Sequence, residues 1–453
     1  MPEAIDPAIY TMLENIVAQA KARGATDAVA SFAKEESLEV ETREGKIEAI
    51  KGPVSNQVGI TVYFNKKSGA SSVKSLAAPD IAKALDIAIE NAGLATDNPY
   101  AGLPAPDQTP QVLPDSQIYD SAKPTFAELA AQAMAVEKAA LAVDPRIEPG
   151  DKSGADWSRR TSAIVASNGF KGGYMRTISS VGTSVIAHDS QGRRETNGES
   201  SSARFRADLR SPEDVGRKAA RDLISKLDAQ SPPAAGGSVP VVFSPDAARQ
   251  LMNIFADAVA GNAVVRGMTF LGDKKDQKVF PADISIVDDP TLPHGFGSLP
   301  IDGDGVVPEK LTLVENGVLK HFLLGLKSAR QIEHESGVKT ASNGHANGAT
   351  NLILTSSSAV SPDQLIAGIA DGFYVTEIQG HDADITAGQF SEAARGRWIK
   401  NGQLSQPIKD ATIAGKLSDM FGTLQAANDV DLARPESGIL APTVRVDGMT
   451  VGG

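Results

Sequence analysis

Apolar residues recur along this chain with two distinct periods. Over residues 7–23, Ile9, Leu13, Ile16, Val17 and Ala20 share one face at helical spacing and Gly24 follows, which predicts an amphipathic helix with a core-facing side. From residue 37 the period drops to two. Leu38, Val40 and Thr42 alternate with Glu39, Glu41 and Arg43, and Glu44-Gly45 then leads into KIEAI (46–50), the pattern of a half-buried antiparallel hairpin. Strands are also predicted at 57–64 and 70–76. A helix follows over 79–93, where Ile81, Leu85, Ala88, Ile89 and Ala92 line one face and Gly93 ends it.

The stretch 98–115 is rich in proline and has no period, so it predicts an extended surface connection, with a helix at 124–143 after it. Between Gly154 and Arg206, β-rich runs (TSAIVAS, GGYMRTISSVGTSVIAHD, SSARFRADL) separated by Asn-Gly and Gly-Gly turns predict a meander. A helix at 212–228 closes this unit. AQSPPAAGGS (229–238) is the strongest boundary signal, so the chain divides into an α+β domain at 1–235 and a mostly β domain at 236–453. The second domain starts with a strand at 239–243 and a helix from Pro245 to about Ala260. The fold class is therefore α+β, an antiparallel sheet with packed helices followed by a largely β C-terminal domain.

Composition narrows the function. With 453 residues, 41% hydrophobic, 22% charged and a mean hydropathy of -0.16, the chain has the profile of an ordinary globular protein. No apolar run approaches the roughly 18 residues that a membrane span needs, and the acidic start MPEAIDPAIY lacks the basic start and apolar run of a signal peptide, so a cytoplasmic location is expected. There is no cysteine, which excludes thiolate nucleophiles and Cys-ligated metal sites. A net charge of -12 opposes binding to a phosphate backbone, so no nucleic-acid partner is expected.

Among candidate sites, His334-Glu335 followed by His345 suggests a metallopeptidase. However, the second His lies past Ser336-Gly337 and Asn343-Gly344, beyond the reach of one helix, so a solvated loop is expected instead. The Asp-rich runs IDGDGVVPE (301–309) and HDADITAGQFSE (381–392) miss several EF-hand ligand positions, and turns whose Asp side chains bond their own backbone explain them better. Neither a GxSxG elbow nor a GxxxxGK[ST] phosphate loop is present. QGHDAD places His381 beside two carboxylates on a Gly-flanked loop that a ligand could approach.

The run GFYVTEIQGHDADITAGQFSEAARGRWIKNGQLSQPIKDATIAGKLSDMF (372–421) resembles the TldD/PmbA family, historically called modulators of DNA gyrase. SLEVETREGKIEAIK (37–51), VVFSPDAARQLM (241–252) and DGDGVVPEKLTLVENGVLKHFLLGLKSAR (302–330) agree with it. The resemblance implies a two-domain dimer. In the TldD branch it implies a zinc peptidase with HExxxH on a helix of the second domain and a further Cys ligand. Here that helix is 245–260, with the motif positions near Met252, Asn253 and Asp257, and it contains neither His nor Glu. The chain therefore resembles the PmbA/TldE branch, which implies no metal, no cofactor and no catalytic residue of its own.

The same resemblance implies a non-catalytic subunit that pairs with a TldD-like zinc peptidase subunit, or with itself, to process unfolded peptides. Gly380, His381, Asp384, Gly388 and Arg395 are the expected peptide contacts, with Gly380, Gly388 and Gly396 leaving backbone accessible. The alternatives are a self-sufficient hydrolase built on His381, Asp384 and Glu392, or a regulator linked to DNA gyrase.

Overall fold

The computed structural model describes residues 5–233, 238–380 and 383–453. The first part of the chain runs α1 (Pro7–Ala22), β1 (Asp27–Arg43), β2 (Lys46–Lys51), β3 (Val54–Phe64), β4 (Lys67–Val73), α2 (Ala78–Leu94), α3 (Phe126–Leu141), β5 (Glu148–Ala166), β6 (Lys171–His188), β7 (Arg194–Ala203) and α4 (Pro212–Lys226). Its strands form one seven-stranded sheet in the order β4-β3-β1-β5-β6-β7, with β2 paired to β1, and every pairing is antiparallel. The fold is α+β, in agreement with the sequence pattern.

Strand β1 organises this sheet. It is longer than the predicted 37–43 because Ala28 and Ala30 occupy buried positions that a search for large apolar residues passes over. Its buried residues keep one parity throughout: Ala28, Ala30 and Phe32 meet α1 and α2 in one core cluster, and Leu38 and Val40 meet α3 in the next. All four helices thus cover the same face, since successive strand residues point to opposite faces. The hairpin turn after β1 uses left-handed backbone at Glu44 and Gly45 (φ 53° and 70°), an unusual position for Glu. The buried carboxylate of Glu137 on α3 accepts from both turn N–H groups, at 2.6 and 3.0 Å.

The second part runs β8 (Ser238–Phe243), α5 (Pro245–Ala258), α6 (Gly261–Val265), β9 (Ile284–Asp288), β10 (Leu311–Glu315), β11 (Val318–Leu319), α7 (Leu326–Ser336), β12 (Leu352–Ser356), α8 (Pro362–Ala367), β13 (Asp371–Ile378), β14 (Gln389–Lys400), β15 (Gln403–Lys416), α9 (Leu417–Gly422), β16 (Gln425–Ala426), β17 (Ile439–Leu440) and β18 (Val444–Gly452). A five-stranded sheet, β11-β10-β9-β12-β17, and a six-stranded sheet, β15-β14-β13-β8-β18-β16, share one core with α5. At its centre Phe280 stacks on Phe421 and Phe255 meets both edge-on, with ring centroids 4.9 to 6.0 Å apart.

Two sequence expectations are corrected here, and one connection gains a role. His334 and Glu335 lie in the last turn of α7, not in a loop, and Gly337 caps that helix in the left-handed region. Its polar composition hides the helix, although the Gly stop is legible. His345 is fully buried rather than solvated: Nε2 lies 2.8 Å from Asp288 Oδ2 and Nδ1 lies 2.8 Å from the Asn343 carbonyl. Asp288 also accepts from Thr350 N and Oγ1, so one buried carboxyl group joins His345 and Thr350. The 98–115 connection, finally, acts as a strap between the two parts of the chain. The Arg330 guanidinium donates to the carbonyls of Tyr100, Gly102 and Leu103, at 3.1, 3.3 and 2.6 Å.

Removing Asp288 leaves His345 Nε2 and the Thr350 N–H and hydroxyl without their buried partner. Asp288→Ala is expected to lower the unfolding free energy by about 3–5 kcal/mol in denaturant titration, since each buried polar group left unpaired costs about 1–3 kcal/mol. A loss below about 1 kcal/mol would mean that the pair carries no structural weight.

Candidate functional site: a cleft along the β7 edge

Strand β7 reads RETNGESSSA and has no apolar residue before Ala203. A strand with no apolar face cannot sit inside a layered core, and β7 is the terminal strand of its sheet, paired among the described residues with β6 alone. The sequence pattern places this strand at 201–209. The structure corrects it to 194–203, because Phe205 and Leu209 flank a short 3-10 turn at Arg206–Asp208 rather than continuing the alternation.

A cleft of about 1120 Å³ opens beside β7, between it and the second part of the chain. Six consecutive residues, Arg194 to Glu199, line it. Side chains of a strand alternate between faces, so an unbroken run of lining residues means that the cleft follows the strand edge, where main-chain donors and acceptors lie. The opposite wall comes from the first turn of α5, from β13, and from the 429–441 segment. A second, shallower groove of about 630 Å³ continues it across the sheet and shares Gly198, Glu199, Arg210 and Glu436 with it.

Ion pairs fix the walls. Arg395 on β14 donates to Glu195 at 3.1 Å, Lys226 to Glu377 at 3.2 Å, and Arg210 to both Glu199 and Glu436 at 2.6 and 3.1 Å. Three of these pairs join the two parts of the chain. Burial alone would raise the Glu377 carboxyl, but Lys226, Gln379 and Arg395 more than offset it and hold it below the usual range. Burial likewise works against the charged form of Lys218, yet Glu199 and Asp222 outweigh it and keep the ammonium protonated. Tyr374 is pushed up to about 12 by burial and by the nearby Asp429 and Asp246, so its hydroxyl stays a donor at neutral pH. The cleft is thus a fixed lattice of paired charges, suited to holding a polar main chain.

The expected contact residues distribute unevenly. Arg395 lines the cleft. Asp384 is exposed, and its carboxylate accepts from Thr386 N and Ala387 N at 2.9 Å, as a turn-forming Asp should. Gly388 (φ +69°) is buried against Phe270. The expectation of open backbone at the glycines is corrected: a Cβ would fall 1.8 Å from Glu392 Oε2 at Gly380 and 1.9 Å from the Tyr374 carbonyl at Gly396. These glycines permit close packing instead. Glu392 itself is buried. His381 lies outside the described residues. Sequence reasoning missed Glu195, Glu199, Arg210 and Glu377, and the wholly polar β7 was the available signal.

Helix α5 starts at the cleft, with Ser244 capping it and Asp246 in its first turn. At the positions where the resemblance implies metal ligands, Met252 is fully buried in the core, while Asn253 and Asp257 are exposed. These residues do not fit a zinc site. Among the described residues, no three His, Cys, Asp or Glu side chains cluster so as to hold a metal ion. Nor is any helix among them long and apolar enough to cross a membrane.

The fold is a long antiparallel sheet with helices on one face, joined along its edge to a two-sheet β-rich part. It matches a solved structure from Bacteroides thetaiotaomicron described as a modulator of DNA gyrase, with a TM-score of 0.89 at 21% identity over 99% of this chain and 100% of that one. TldE from Thermococcus kodakarensis matches with a TM-score of 0.81 at 18% identity, over 98% of this chain and 100% of that one. The family descriptions that match are PmbA/TldA metallopeptidase domain 1 over residues 28–92, the central domain over 119–227 and the C-terminal domain over 236–453. Metalloprotease PmbA of Escherichia coli O157:H7 is 30% identical over 447 residues, 98% of this chain and 96% of that protein. The chain belongs to the PmbA/TldD metallopeptidase family.

Asp156 lies in the adjoining groove, where burial pushes it up to about 6 against a hydrogen bond from Ser180. A group raised in the folded state contributes its stability below its ordinary value of 3.8 and loses that contribution as pH rises through about 6. Asp156→Asn is therefore expected to stabilise the protein at pH 8 by no more than about 3 kcal/mol and to have little effect at pH 4. Unfolding curves at both pH values check this, and an equal effect at the two would contradict it.

Proposed function

We propose that this chain is the subunit without a zinc site of its own in a TldD/TldE-type peptidase of the cytoplasm. It pairs with a TldD-like zinc subunit as a dimer and holds unfolded peptides in extended form along the β7 edge. The observation that carries this reading is the unbroken run of β7 residues lining the cleft. A peptide laid against a strand edge pairs main chain to main chain, so its own sequence matters little. Family membership supports the peptidase context, and the buried Met252 and exposed Asn253 and Asp257 on α5 support the assignment of the metal to a partner.

Of the expected contacts, Arg395 enters this proposal directly, as a guanidinium at the cleft wall. Gly380, His381 and Asp384 follow β13 in the sequence and are proposed as outer contacts, whereas Gly388 is packed against Phe270. The zinc-bound water belongs to the partner. This chain's contribution is positioning, which matters because an extended, correctly placed backbone reaches the attack geometry far more often than a free one.

Mixing this chain with a TldD-like subunit is expected to give cleavage of an unfolded peptide that neither gives alone. Arg395→Ala should slow the mixture about tenfold without preventing association, read by size-exclusion chromatography alongside the cleavage assay. A TldD-like subunit that cleaves as fast alone as in the mixture, with the same substrate range, would remove this chain's supporting role.

A further inference from the structure

A separate pocket of about 650 Å³ lies between the helix-free face of the long sheet and the loop at 296–305. Its volume is in the range of small-ligand sites, roughly 300–1,000 Å³. Three arginines line it: Arg160 is paired with Glu35 at 3.6 Å, and the other two guanidinium groups are poorly accounted for by the fold. Arg204, which follows β7, is only 4% exposed. It donates to the carbonyls of Thr177 and Phe296 and lies over the Phe296 ring, but it has no carboxylate partner among the described residues, and its Nε has no acceptor. Burial, with a smaller push from Arg176, lowers the Arg204 group to about 10. Arg176 on β6 is half-buried in the same pocket and has neither ion pair nor hydrogen bond among the described residues.

Two adjacent cations without a counter-charge are costly. A buried charge is normally paired, and like charges disfavour each other. The other lining residues limit what could supply the missing charge. Val29, Ile164, Leu103 and Ile301 give apolar walls, and the far end carries Asp302 and Asp304. Asp302 accepts from Asp304 N and Val306 N at 2.9 Å, so it is committed to its own turn and not to the arginines. A multiply charged anion would be repelled by these carboxylates, whereas a single planar carboxylate matches the fork of a guanidinium and leaves an apolar body for the walls.

We infer that this pocket binds the carboxylate of a peptide, with Arg176 as the direct contact and Arg204 as the buried charge behind it. The carboxylate comes either from the peptide's C terminus or from an acidic side chain. The site is distinct from the β7 cleft, and its occupancy does not depend on the role proposed for that cleft.

The test is calorimetric titration of the full chain with three probes: acetylated tetra-alanine with a free C terminus, the same peptide amidated, and an amidated version carrying one central glutamate. The free acid is expected to bind about tenfold or more tightly than the plain amide. Arg176→Ala should remove that difference while leaving the circular dichroism spectrum unchanged, because Arg176 supports no other group. If the glutamate peptide binds and the free acid does not, the inference holds with an acidic side chain as the source. It is overturned if neither carboxylate-bearing peptide binds more tightly than the plain amide, or if Arg176→Ala leaves the affinity of the peptide that does bind unchanged.

Discussion

The single parity of β1 is the constraint on which the rest of the structure depends. Because Ala28, Ala30, Phe32, Leu38 and Val40 all point the same way, four helices are drawn to one face of the sheet. The opposite face carries Val29, Ser31 and Ala33, too mixed in polarity to form a core and too apolar to be left wholly to water. The second part of the chain covers it incompletely, through the Arg330 strap and the ion pairs beside β7. The cleft, its adjoining groove and the arginine pocket are spaces left by that incomplete cover.

The first part of this arrangement was legible in the sequence because local periodicity produces it. The helix at 7–23, the hairpin turn at Glu44-Gly45 and the helix at 79–93 all follow from spacing and end signals, and the structure places them within a residue or two. The misses share another cause. The first half of β1 is disguised by alanine, α7 by polar residues, and the His345 pair by the 57 residues separating it from Asp288. No local pattern encodes a contact of that range.

The candidate site was less legible for a related reason. The 380–388 segment draws notice through its glycines and charges, yet the structure uses those glycines for close approach and Asp384 for a turn. The cleft depends instead on β7, a strand whose lack of apolar residues reads as weak signal, and on partners contributed from far along the chain. Arg395 is the point where the two readings meet, since it lies near the conspicuous loop and its guanidinium reaches Glu195 on β7.

A cleft that follows a strand edge should bind through main-chain groups, and those groups can be watched individually. The most direct measurement is hydrogen–deuterium exchange of residues 194–199, with and without an unfolded alanine-rich decapeptide. Alternate amides of β7, those not already bonded to β6, are expected to become protected when the peptide is present, while the helix-covered face is unchanged. Peptide binding that leaves every amide of 194–199 exchanging at its original rate would contradict a strand-edge site.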